Sequence, residues 1–140
     1  MGMIIQARDF FPEKQEGLLK PIIYCHTYGD VYKEAISINM TLAEKLMKYR
    51  PNQRTMQLER CFNQVISELS DDAMIKDFDV MFNPAYKVDI ITLLIVAYKK
   101  KSFNAIWPGG YSDGKLYYSV EGRPDYKIYC IDDYDVTCIV

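Results

Sequence analysis

Asp77 and Asp79 stand two residues apart in the stretch Ala73–Phe82, AMIKDFDVMF. The stretch reads as a strand with both aspartates near its end, and a spacing of two puts their carboxylates on one face. Paired carboxylates are the beginning of a hard-cation site, so magnesium is the one cofactor this pattern suggests. A complete shell needs several further oxygens converging on the same point. The plainer alternative is the polar end of a buried strand, with no cofactor at all.

Other chemistries find less support. The only histidine, His26, follows Cys25 directly, and neighbours on a strand point to opposite faces, so they cannot act as a nucleophile and its base. No third group is placed to orient the imidazole. The four cysteines, Cys25, Cys61, Cys130 and Cys138, form no C-x-x-C pair and no zinc-ligand spacing with the histidine. They read as reduced core residues of a cytoplasmic protein. No G-x-x-x-x-G-K-[ST] is present. The segment His26–Lys33, where a phosphate loop would follow the first buried strand, has Gly29 alone and is too short for such a loop and its helix.

Charge narrows the partners. Lys and Arg number 17 against 19 Asp and Glu, a net charge of −2, which argues against nucleic-acid binding by the whole domain. Lys99, Lys100 and Lys101 with the tyrosine-rich tail could still make a small basic and aromatic surface for a single strand. Asp125, Asp132, Asp133 and Asp135 in that tail would repel phosphate. The longest apolar run, Ile90–Ala97, is too short to span a bilayer, and the first eleven residues lack the charged start and apolar run of a signal peptide.

These residues must be held by a fold of 140 residues, one domain's worth. Residues 1–20 read as an N-terminal arm, with Phe10-Phe11-Pro12 able to pin it to the body. Residues 21–140 read as a single α/β domain. Pro21–Cys25 is a short apolar run and reads as a buried strand, and Ala35–Met40 as another. Thr41 and Glu44 have the spacing of a capping box opening a helix to about Tyr49, which Pro51 ends. Leu58, Phe62, Val65, Ile66 and Leu69 form the apolar stripe of a second helix from Arg54. Val88–Lys101 is apolar nearly all round, and its lysine-rich end suits a helix C-terminus.

Phe103–Trp107 reads as a strand stopped by Pro108-Gly109-Gly110, and Ser112-Asp113-Gly114 as a turn. Lys115–Val120, Tyr126–Ile131 and Asp135–Val140 have strand character. Strands alternating with long helices predict a mainly parallel sheet flanked by helices, with the last hairpin at one edge. The 12 tyrosines suit half-buried strands and interfaces alike. Trp107, Tyr111, Tyr117 and Tyr126 are the candidate contact residues for a protein partner or a homo-oligomer. For Trp107 the alternative is a ring that covers the end of the sheet.

Taken together, the segments Asp77–Pro84, Val88–Lys101, Ile106–Gly109, Gly114–Tyr118 and Pro124–Tyr126 resemble the small P-loop-type protein of the bacteriophage exclusion (BREX) defence systems. In that family an acidic strand runs into a Leu-Phe-x-Pro-like segment. A helix, a strand ending in Trp-x-Gly, a Gly-x-Leu-x-Tyr hairpin and a Pro-x-Tyr-like closing strand then follow. Ser37–Leu46 is similar to its asparagine-led strand and helix, so the resemblance runs from Ser37 to Ile131. The family's nucleotide loop has no counterpart here. The resemblance therefore implies a RecA-like ATPase fold without its phosphate loop, a pseudo-ATPase that acts by contact with other defence proteins. It also puts Asp77 or Asp79 where a magnesium-binding acid would stand. Two rivals remain open: a magnesium-dependent phosphohydrolase or nuclease using Asp77 and Asp79, and a nucleic-acid-binding module.

Overall fold

A computed structural model describes residues 1–26 and 29–140 of the chain. Among these residues a parallel sheet of six strands forms the centre. Its strands are β1 (Met3–Ile5), β2 (Ile22–Tyr24), β3 (Ile36–Ser37), β4 (Ala73–Lys76), β5 (Phe103–Ile106) and β9 (Thr137–Ile139), in the order β1-β9-β2-β5-β4-β3. A second sheet is antiparallel: β6 (Gly110–Ser112), β7 (Lys115–Tyr118) and β8 (Lys127–Cys130), in that order.

The central strands are short and apolar because both faces are covered, which is how parallel sheets read. Ile23 pairs with Ala105 on one side and Cys138 on the other, and all three are 0% exposed. The helices are α1 (Gly29–Glu34), α2 (Asn39–Met47), α3 (Arg54–Ser67) and α4 (Ile90–Lys100). The stripe on α3 buries Leu58, Phe62, Val65 and Ile66, worth roughly 1.5–3 kcal/mol for each large apolar side chain. α4 buries Ile90, Ile91, Leu93, Leu94 and Ala97, and Lys99 and Lys100 lie in its last turn. Its start is fixed by Asp89, whose carboxylate accepts from the Thr92 N–H at 3.1 Å. Such a cap satisfies one of the free amides of a first turn.

The mainly parallel sheet and the two long helices follow the sequence pattern, and four details differ. First, the hairpin does not extend the edge of the main sheet. β6 to β8 form their own sheet, and the closing segment returns to place β9 between β1 and β2. Second, the stretch read as an arm supplies an edge strand, since Met3 pairs with Thr137. Phe10 does pin it, edge-on to Tyr24 with ring centroids 5.8 Å apart. Third, α2 starts at Asn39, so Thr41 lies inside the helix and exposed, and no capping box forms. Fourth, β4 stops at Lys76. Asp77 takes a left-handed backbone (φ 52°) and Asp79–Phe82 coil into a 3-10 turn.

The cysteines also divide. Cys61 and Cys138 are core residues, Cys25 is half-buried and Cys130 is exposed; all four are free thiols. No helix among the described residues is long and apolar enough to cross a membrane.

Candidate functional site at the carboxyl ends of the parallel strands

In open parallel sheets the crevice beyond the carboxyl ends of the strands, where strand order reverses, is where ligands are bound. Here the reversal falls at β2, which lies between β5 and β9. The residues that follow β2, β4 and β5 are Cys25-His26, Asp77 to Asp79, and Trp107-Pro108. Thr27 and Tyr28, within the segment read as lacking a phosphate loop, lie outside the described residues. From Gly29 the chain forms α1, a helix of six residues.

The segment after β4 is held by cross-links from two directions. Asn39, at the start of α2, accepts the Val80 N–H at 2.9 Å through its side-chain oxygen and donates from Nδ2 to Asp79 at 3.3 Å. From the antiparallel sheet, the Tyr118 hydroxyl donates to the other Asp79 oxygen at 3.0 Å. The Tyr118 ring stacks on Phe82, with centroids 3.8 Å apart and 10° between the planes. Burial, and then the bond to the Asp79 carboxylate and its charge, push the Tyr118 phenol well above its ordinary value. Tyr118 is therefore a hydrogen-bond donor to Asp79 at any physiological pH.

Lys76, the last residue of β4, reaches α1. Its ammonium donates to the Tyr32 carbonyl at 2.8 Å and sits 4.1 Å above the Tyr32 ring centroid, a cation–π arrangement. What remains open between α1, β4 and β5 is a cleft of about 120 Å³, lined by Tyr32, Lys76, Asp77, Asp79, Trp107 and Pro108 among others.

This geometry revises the reading of the two acids. Because the chain coils after Lys76, Asp77 and Asp79 do not share the face of a strand. Both line the cleft, but the two Asp79 oxygens are already engaged. Among the described residues no group of three or more His, Cys, Asp or Glu side chains is placed to hold a metal ion.

Trp107 is inside. Its ring is 0% exposed and meets Phe82, Tyr129 and Phe78 edge-on at 5.5, 5.8 and 6.4 Å between centroids. The indole N–H donates to the Tyr117 carbonyl at 2.8 Å. Of the two roles open to it in the sequence, this is the ring that closes the end of the sheet. A partner cannot reach a ring with no exposed surface in this conformation. Gly109 makes the closure possible: a Cβ there would lie 1.8 Å from the Tyr117 carbonyl oxygen, so only glycine allows the two backbones this approach.

The other candidate contact residues divide between the faces of the small sheet. Its tip is Asp113-Gly114, both with positive φ (48° and 77°), the two-residue turn that suits a twisted hairpin. Side chains alternate along it. Tyr111 pairs with Leu116 and Leu116 with Tyr129, and the buried Leu116 and Tyr129 mark the inner face. Tyr117 pairs with Ile128 on the outer face, where Ile128 is 47% exposed. Tyr126 stands half-buried just before β8. Lys99 to Lys101 lead into the opposite end of β5 from the hairpin, so they form no joint surface with the tyrosines.

Two structural residues had no distinctive sign in the sequence. Asn39 sits in what reads as a strand, and Tyr129 is one tyrosine of many. Tyr129 is nevertheless an internal hinge pin: its hydroxyl accepts the Ile90 N–H at 3.2 Å, and burial pushes its phenol up to about 12. Compared with protein-family models, with curated proteins and with solved structures, the chain matches none.

Proposed function

We propose that this chain is a non-catalytic interaction and regulatory subunit of a bacterial antiphage defence system, built on a P-loop or RecA-like frame without a phosphate loop. The observation that supports it best is the bond from Tyr118 to Asp79. In an active member of such a fold, the acid at the end of the strand beside the crevice faces a metal and a phosphate. Here it is taken by a tyrosine of the chain's own second sheet and by Asn39.

The cleft between it and α1, about 120 Å³, is well below the roughly 300–1,000 Å³ of ordinary ligand pockets, and the open groove on its other side, about 290 Å³ between Asp79, Tyr118 and Asp125, lies at the lower end of that range. The segment after β2 carries Gly29 as its one glycine and no Gly-Lys-Ser/Thr, and the resemblance to the BREX protein is one to a family whose nucleotide loop this sequence lacks. A fold that fills its own crevice works through its outside, and the outer face of the small sheet presents Tyr117 and Ile128, with Tyr126 at its margin. Tyrosine and aliphatic groups of this kind suit the centre of a protein interface.

The test is co-expression with the proteins encoded beside it, alongside calorimetry with magnesium and ATP. The proposal expects one of those proteins to co-purify, the contact to be lost in the double variant Tyr117→Ala, Tyr126→Ala at unchanged thermal stability, and no heat of nucleotide binding. Magnesium-dependent ATP binding that disappears in Asp79→Ala would replace it with the phosphohydrolase reading.

A further inference from the structure

We propose that α1 is a lid over the cleft at the carboxyl ends of β4 and β5, latched by Lys76 and able to open while the rest of the fold stays closed. Its side of the sheet is the first reason. Neighbours on a strand point to opposite faces. Ile75 and Ala105 lie in the core with Leu42, Phe62 and Leu94, so α2, α3 and α4 cover one face. Lys76 and Ile106 point to the other, where Lys76 meets Tyr32 of α1. Parallel sheets ordinarily carry helices on both faces. On this second face α1 has six residues and no buried side chain.

Gly29, Asp30, Val31, Lys33 and Glu34 are exposed, and Tyr32 is half-buried. A helix shorter than about 12 residues is marginal without tertiary packing, and a segment with little buried apolar surface is among the first to open. The tie to β4 is polar. The Lys76 ammonium donates to the Tyr32 carbonyl at 2.8 Å and stands 4.1 Å above the Tyr32 ring centroid. One side chain thus makes both contacts. Beyond the helix, Ala35 is 8% exposed and β3 pairs with β4, so the chain stays anchored there when α1 lifts. Lifting it opens the cleft of about 120 Å³ that Ile106 and Pro108 help to line, and bares the Lys76 ammonium beside Asp77. The cleft can then admit a group larger than its closed volume. This lid is independent of the interaction role proposed above.

Amide hydrogen exchange of the whole chain, read by NMR, provides the test. The Ala35 N–H bonds to the Val31 carbonyl at 3.1 Å. Corrected for its unprotected rate, it should exchange at least about 100-fold faster than the central amides of α3 and α4. Lys76→Met keeps the apolar stem and removes the ammonium, and should speed exchange at Ala35 by about tenfold. Tyr32→Ala removes the ring from the other side of the latch and should do the same. Both should leave the rates in α3 and the melting temperature unchanged. Lys76→Arg keeps a donor and a cation that stacks on rings, and should stay within about threefold of the parent. An Ala35 amide as protected as those of α3, or either Lys76→Met or Tyr32→Ala exchanging like the parent, overturns the proposal. So does faster exchange that spreads into α3, because α1 would then not open alone.

Discussion

The indole N–H of Trp107 bonds to the carbonyl of Tyr117 at 2.8 Å, and this one bond ties the end of the central parallel strand to the antiparallel sheet. With the ring fully enclosed by Phe78, Phe82 and Tyr129, the pair joins the two sheets into one core. Trp107→Phe should cost about 1–3 kcal/mol, because the Tyr117 carbonyl loses its donor. Trp107→Ala should cost about 3–5 kcal/mol through the cavity it leaves. Urea unfolding followed by far-ultraviolet circular dichroism measures both. A Trp107→Ala protein as stable as the parent would contradict the packing described here.

Asn39 should matter more than its place at the start of a helix suggests. It gives one hydrogen bond to the Val80 N–H and one to Asp79, so Asn39→Ala leaves two partners behind and should destabilise by about 1–3 kcal/mol. Asn39→Asp keeps the acceptor for Val80 but sets a second carboxylate against Asp79. It should be at least as harmful at neutral pH and recover partly as the medium is acidified. Equal stability of the two variants across pH would remove the case for a charge effect.

Asp77 holds a left-handed backbone, φ 52°, which is unfavourable for residues with a Cβ and free of that penalty for glycine. Asp77→Gly should therefore leave stability unchanged or raise it by up to about 1 kcal/mol, and Asp77→Val should lower it by about 1–2 kcal/mol. Thermal unfolding of the three proteins gives the order. If Asp77→Gly is the less stable of the two variants, the carboxylate has a structural partner that the geometry does not reveal.

Tyr129 predicts a response to alkali. Its phenol is held up to about 12, first by burial and then by the charge of Asp89, while the bond from Ile90 works the other way. The folded chain thus holds this proton more tightly than the unfolded chain, whose phenol titrates near 10. The corresponding stability is complete below pH about 10 and is lost as pH rises towards 12, where the unfolded state releases protons first. Stability should be level through neutrality and fall across that window, with Tyr118 and Tyr134, also raised, adding to the slope. Tyr129→Phe should flatten part of the fall; the same curve in parent and variant would assign it to other groups.

The sequence was most legible where the pattern is long and local. The stripe of α3 and the apolar length of α4 declare themselves in consecutive turns, and Asp113-Gly114 names its own hairpin. It was least legible where a distant partner decides. Nothing in Ala73–Phe82 says that the strand ends at Lys76, because the turn is imposed by Asn39 and Tyr118 from elsewhere in the chain. The place of β9 was not visible: Asp135–Val140 reads as a strand, but nothing in it says that it slots between β1 and β2, where Thr137, Cys138 and Ile139 are all buried. For the site, the pattern offered two aspartates and a tryptophan as reactive or reachable groups. The fold spends Asp79 and Trp107 on joining its sheets, and leaves Tyr117 and Ile128 facing outward.

The placement of β9 has a bearing on how the molecule is made. Among the described residues β1 pairs with β9 alone, and β2 meets β9 along one side, so Met3 waits for Thr137, far along the sequence. During synthesis β1 emerges before β9 and stays without this partner until β9 has left the ribosome. A contact spanning so much sequence makes closure slow and leaves bare strand edges in the nascent chain, the period in which a chaperone would be most needed.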